Sequence, residues 1–177
     1  MVNEPFWPMD RQAGGWRDGP WFAAMGPSYV ERAFRRVAAI DKTARLALNE
    51  AQRDNDHGWG RSIRPLLAGL VDRLLDTGAP VDIIGLQSHL KPQWPADYAA
   101  FAGYVADFGK RDLSVSITEF DIDDSALPDD SAARDRAVAA VGADLRIKPL
   151  GEAMTAVFAA APRRAPPTNA ATHRKPD

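Results

Sequence analysis

The stretch Leu113-Ser114-Val115-Ser116-Ile117-Thr118-Glu119-Phe120-Asp121-Ile122 alternates apolar with small polar residues and then delivers a carboxylate, Glu119, where the run turns into a loop. The alternation predicts a strand over 113–118. The ordinary alternative for such a glutamate is a solvated surface group. A carboxylate mounted on the end of a buried strand is different, because charge is seldom buried there without a partner or a task.

Three further runs end in the same way. Asp82-Ile83-Ile84-Gly85-Leu86-Gln87-Ser88-His89 is an apolar strand closing in hydrogen-bonding side chains, and Ala44-Arg45-Leu46-Ala47-Leu48-Asn49-Glu50 ends in an amide and a carboxylate. Met1-Val2-Asn3-Glu4-Pro5 places Glu4 after a short apolar run. Helical patterns separate them. Gly26-Pro27-Ser28 with Glu31 reads as a helix start with a capping box, and Tyr29, Ala33, Phe34, Val37 and Ala38 supply its apolar face as far as Ile40. After a polar loop over 54–60, Ile63, Leu66, Leu67, Leu70, Val71, Leu74 and Leu75 recur at helical spacing until Gly78. Tyr98, Phe101, Ala102, Val105 and Phe108 form a third apolar face ending near Gly109.

Strand, loop, helix, strand at roughly forty-residue spacing predicts an α/β fold with a parallel sheet buried on both faces. No Gly-rich dinucleotide fingerprint or phosphate loop follows any strand, which argues against a nucleotide-binding doubly wound fold and favours a barrel. In a barrel the strand ends share one mouth, so Glu4, Asn49, Glu50, Gln87, His89 and Glu119 converge. Paired carboxylates at such a mouth are what glycoside hydrolysis requires, one protonated to donate and one ionised to attack. A nucleophilic carboxylate also needs donors that orient it, and His89 and Gln87 are suitable ones.

Composition bounds the rest. With 177 residues, 45% hydrophobic content and no cysteine, the chain is long enough for one core and has no disulfide framework. Its 22 basic and 24 acidic residues are mixed along the chain for a net charge of -2, which gives no footprint for nucleic acid or an anionic membrane and suits a neutral substrate. No run approaches the roughly eighteen apolar residues of a membrane span, and no basic-then-apolar signal peptide opens the chain. The three histidines are scattered and form no metal-ligand cluster. Trp16, Trp21, Trp59 and Trp94 are each candidates for a sugar-stacking platform or for core packing, with packing favoured.

Taken together, Val2-Asn3-Glu4, 26–34, 46–50, 82–89 and 117–122 resemble glycoside hydrolase family 10, the endo-1,4-β-xylanases, over roughly 1–145. Their order and spacing match the fourth to seventh strands of that family's barrel. The resemblance implies a partial (β/α)8 TIM barrel and a retaining endo-1,4-β-xylanase acting on xylan or another β-1,4-glycan by double displacement, with no cofactor, metal, nucleic acid or membrane partner. It makes Glu4 the acid/base and Glu119 the nucleophile. Asn3 contacts the sugar 2-hydroxyl, His89 holds the nucleophile, and Asn49 and Gln87 line the substrate site. Family members are usually secreted or periplasmic; this chain carries no signal peptide, so its localisation stays open.

Family members also carry three strands before the Asn-Glu pair and an eighth strand bearing Trp-Gly. Here the chain opens at the fourth strand. After Leu145 comes a divergent segment, 146–161, with an alanine-rich stretch able to form one short helix, and 162–177 reads as a disordered tail rich in Pro, Ala, Thr, Arg and Lys. The alternative to an enzyme is therefore a non-catalytic fragment of one, which neither binds nor cleaves glycan.

Overall fold

The computed structural model describes residues 2–10, 12–51, 58–91, 98–119, 121–123, 125–127 and 132–136; Trp94, Phe120, the divergent segment and the tail lie outside the described residues. The elements run β1 (Val2–Asn3), α1 (Pro20–Met25), α2 (Ser28–Ile40), β2 (Ala47–Glu50), α3 (Gly58–Asp76), β3 (Ile83–Leu86), β4 (His89–Leu90), α4 (Tyr98–Gly109), β5 (Ser114–Ile117) and β6 (Asp121–Ile122).

The sheet order is β1-β2-β3-β5, all parallel. Each crossover moves one position in the same direction, as in a barrel, whereas a doubly wound sheet reverses at a switch point. Register aligns Val2 with Leu48, Leu48 with Ile84 and Ile84 with Val115, and this apolar rung joins the helices in one core. The next rung, Asn3, Asn49, Gly85 and Ser116, belongs to the opposite face because side chains alternate along a strand. One face is thus oil and the other small and polar, and the second is the one that meets the site.

The helix-side core gathers Phe34 from α2, Leu67, Leu70, Val71 and Leu74 from α3, and Phe101, Val105 and Phe108 from α4. Gly78 stops α3 as expected: at φ 65° it bends the chain so that its N–H reaches Leu75 O (2.9 Å) and Ala79 N–H reaches Leu74 O (2.7 Å).

Several expectations need correcting. The capping box at Ser28 does not form: Pro27 takes the cap position, the Ser28 hydroxyl donates back to Met25 O (2.7 Å), and Glu31 pairs with Arg35 (2.7 Å). The cause is α1, a six-residue helix too short to show a periodicity, whose end already shapes the entry to α2. The buried face of α2 is led by Val30 and Phe34, one turn apart, and Val37 is exposed. The strand expected over 81–86 forms as β3, and it is His89 that leaves it, because Ser88 at φ 61° bends the chain between β3 and β4. The short pair β4-β6 then sets His89 opposite Asp121.

Candidate active site

Among the described residues, the buried polar side chains are Asn49, Glu50, Gln87 and Ser88, all at the C-terminal ends of β2 and β3. Burying polar groups is tolerated where they satisfy one another. Asn49 spans the sheet. Its Nδ2 donates to Asn3 Oδ1 (2.7 Å) and to Glu119 Oε1 (2.9 Å), while its Oδ1 accepts from the Thr118 hydroxyl (2.8 Å). Gln87 reaches the other way, its Nε2 donating to Glu4 Oε1 (2.8 Å) and Asn3 Oδ1 (3.3 Å). Glu4 and Glu119 are thereby joined through Gln87, Asn3 and Asn49.

The expected pairing of Gln87 with Glu119 is replaced by this crossed arrangement. Gly85 is the reason: with no side chain over β3, Asn49 can lean across it from β2 to Glu119, and the Gln87 amide is left to face β1. Asn3 accepts twice through its carbonyl oxygen, which leaves its N–H donors as what it can offer a hydroxyl of a ligand.

Glu119 is flanked by His89, whose Nε2 lies 3.4 Å from its Oε2 while Nδ1 lies 2.8 Å from Asp121 Oδ2. Desolvation lowers the imidazole pKa, but the hydrogen bonds and charges of Asp121 and then Glu119 outweigh it, and the net direction is up. With one ring nitrogen facing each carboxylate, the imidazole lies between Asp121 and Glu119 and can brace Glu119 from the side.

Glu4 is held by more groups than sequence reasoning identified. Its backbone adopts φ 45°, and its N–H donates to Asn49 O (2.9 Å). Arg17 Nε donates to Glu4 O (2.9 Å) and Arg17 Nη2 pairs with Glu4 Oε2 (2.6 Å). Arg17, Asp121, Thr118 and Gly85 are the members the strand-end pattern did not single out. Asp121 and Thr118 flank Glu119 in the opening run, so position alone could have nominated them; Arg17, in a Gly-Gly-Trp-Arg loop, had no periodic signal.

Glu50 faces inward as scaffold: Oε2 accepts from Phe6 N–H (3.2 Å) and Oε1 from Ala51 N–H (2.8 Å), tying β2 to the loop after Glu4. Trp16 is core, 4.8 Å from the Phe6 ring and 5.7 Å from Phe22. Trp59 meets Trp7 edge-on at 4.8 Å. Trp21 is exposed and walls a groove of about 700 Å³ that opens beside Asn3 and Glu4, with Val2, Phe22 and Tyr29 also lining it. Among the described residues no group of His, Cys, Asp and Glu is arranged to hold a metal ion, and no helix is long and apolar enough to cross a membrane.

Comparison with known proteins agrees with the fold. The family described as Glycosyl hydrolase family 10 matches residues 1–153. Endo-1,4-beta-xylanase A of Phanerodontia chrysosporium is 34% identical over 123 residues, 69% of this chain and 28% of that protein. Xylanase B from Clostridium stercorarium F9 superposes with a TM-score of 0.69 at 26% identity, over 86% of this chain and 44% of that one. Xylanase 10B from Thermotoga petrophila RKU-1, solved in complex with xylobiose, gives a TM-score of 0.67 at 27% identity, over 81% of this chain and 41% of that one. The chain spans less than half the length of these relatives, and its fold is a part of their (β/α)8 barrel.

Proposed function

Because the chain belongs to glycosyl hydrolase family 10, we propose that its strand ends carry the machinery of a retaining endo-1,4-β-xylanase, with Glu119 as nucleophile and Glu4 as acid/base. The observation that carries this reading is the shared amide network: Gln87 holds Glu4, Asn49 holds Glu119, and both amides meet on Asn3.

The chemistry follows from the partners. Glu119, oriented by Asn49 and His89, attacks the anomeric carbon as the glycosidic bond breaks, and Glu4 gives its proton to the departing oxygen. The glycosyl-Glu119 ester is then opened by water, whose proton passes to Glu4 as the new C–O bond forms. Retention asks for carboxyl groups about 5–5.5 Å apart, close enough for one sugar carbon between them. The Asn3 amide N–H is available for the 2-hydroxyl, where a hydrogen bond that tightens in the transition state lowers the barrier. Xylan is the substrate class because the relatives are named xylanases and one is solved with xylobiose.

Release of reducing sugar from xylan by the purified chain tests this, with Glu119→Ala and Glu4→Gln as controls. Wild-type release abolished in Glu119→Ala supports it; equal release by both proteins overturns it.

A second reading rests on the open sheet, since β1 has a partner only on its β2 side among the described strands. In that reading the 177-residue polypeptide neither binds nor cleaves glycan. A thermal melt with and without xylo-oligosaccharide separates the two, because a ligand that binds only the folded state raises the melting temperature. A ligand-shifted, cooperative transition counts against the second reading.

A further inference from the structure

We infer that Arg17 is the positioning residue for Glu4, fixing the direction of its carboxylate by gripping its backbone and its side chain with one guanidinium. The inference rests on the assignment of Glu4 as acid/base, and it names a residue outside the strand ends.

The geometry is specific. Nε takes the Glu4 carbonyl at 2.9 Å and Nη2 takes Glu4 Oε2 at 2.6 Å, so two donors of one rigid plane meet two atoms of one residue. Glu4 sits at φ 45°, a backbone conformation that only a surrounding structure maintains for a residue with a side chain. Its other carboxylate oxygen is taken by Gln87. Each oxygen therefore has one donor, Arg17 from the loop after β1 and Gln87 from the end of β3, and the two together set the carboxylate plane.

Arg17 is itself held. Its N–H donates to Pro5 O (2.9 Å), the Trp7 N–H donates to Gly15 O (2.8 Å), and Phe6 pairs with Trp16 in an antiparallel bridge. The guanidinium lies 4.8 Å from the Trp7 ring centroid, and that ring is braced by Trp59 from α3. Asp18 N–H is tied to Asp10 Oδ2 (2.8 Å), closing the loop behind it. A group meant only to pair charge on a surface needs no such backing, because exposed ion pairs contribute little to stability.

The distinguishing test compares two glycosides. Departure of an unactivated xylose hydroxyl needs the proton of Glu4, whereas dinitrophenolate leaves without it. Arg17→Met is expected to lower kcat/KM on xylotetraose on the order of tenfold more than on dinitrophenyl β-xylobioside. Arg17→Lys, which cannot span both Glu4 atoms, is expected to fall between wild type and Arg17→Met. Equal losses on both substrates, or full rescue by lysine, would overturn the inference.

A second arm does not depend on turnover. In the wild-type chain the Arg17 guanidinium should show hindered rotation by nitrogen NMR, released in Glu4→Ala. A freely rotating Arg17 in the wild type overturns the clamp. If the wild type cleaves neither glycoside, the hydrolase assignment fails while the NMR result still decides whether Arg17 fixes Glu4.

Discussion

Asn49 leans over Gly85 so closely that a β-carbon at residue 85 would stand 2.2 Å from the Asn49 amide oxygen and 3.0 Å from its carboxamide carbon. Neither atom is the end of a flexible chain, since the Asn49 amide is fixed by Asn3, Glu119 and Thr118 together. Gly85→Ala is therefore expected to destabilise by about 1–3 kcal/mol through overpacking. It also pushes Asn49 off Glu119, and displacing a reacting group by about an ångström costs on the order of 10²-fold in rate. A denaturant melt and kcat/KM on xylan check both parts; an alanine variant with wild-type kinetics would mean that Asn49 does not orient Glu119.

The His89 ring is expected to titrate above its ordinary value of 6.5. Burial pulls it down, and Asp121 and Glu119 pull it up by more. A raised folded-state midpoint contributes stability that is fully present below the unfolded midpoint and is lost as pH rises through the folded one. Ring-proton NMR should place the midpoint above 6.5 in the wild type and lower in Asp121→Asn, which removes the charge of the 2.8 Å partner. An unchanged midpoint in Asp121→Asn would show that this contact does not set the imidazole.

How far these features could be read from the chain depends on the range over which each is decided. Asn3, Glu4, Asn49, Gln87, His89 and Glu119 each close an apolar run, and a parallel sheet carries such ends to one side whatever their distance in sequence. Which of them pair is not local. Gln87 turns to Glu4 because Gly85 opens the way for Asn49, a relation between two strands that neither strand contains alone. Arg17 finds Glu4 only through the Phe6–Trp16 bridge and a positive φ at Glu4, both products of tertiary packing. Spacing alone puts Val37 on the apolar face of α2, yet the core that α2 faces is met by Val30 and Phe34.

Glu50 should prove to be scaffold. Its two oxygens accept from Phe6 and Ala51 N–H groups in a fully buried setting. Glu50→Ala leaves buried donors without those acceptors, at a cost of about 1–3 kcal/mol. Glu50→Gln retains one acceptor oxygen and should lose less. Chemical denaturation orders the three proteins, and a melt of Glu50→Ala equal to wild type would remove Glu50 from the scaffold.

The tryptophans separate packing from exposure. Trp16 is 5% exposed and touches Phe6 at 4.8 Å, stacks on Phe22 at 5.7 Å and meets Tyr29 edge-on at 6.1 Å. Truncating it opens a cavity bounded by three rings that cannot all collapse inward, so Trp16→Ala is expected to cost about 3–5 kcal/mol. Trp21 is 67% exposed on the groove wall beside Glu4, and Trp21→Ala should stay within about 0.5 kcal/mol of wild type. The indole at 21 loses little on truncation because water already covers most of it, whereas the indole at 16 packs between Phe6 in the loop after β1 and Tyr29 of α2. Matched urea melts of the two variants check the contrast, and comparable destabilisation in both would refute the placement of Trp16 in the core.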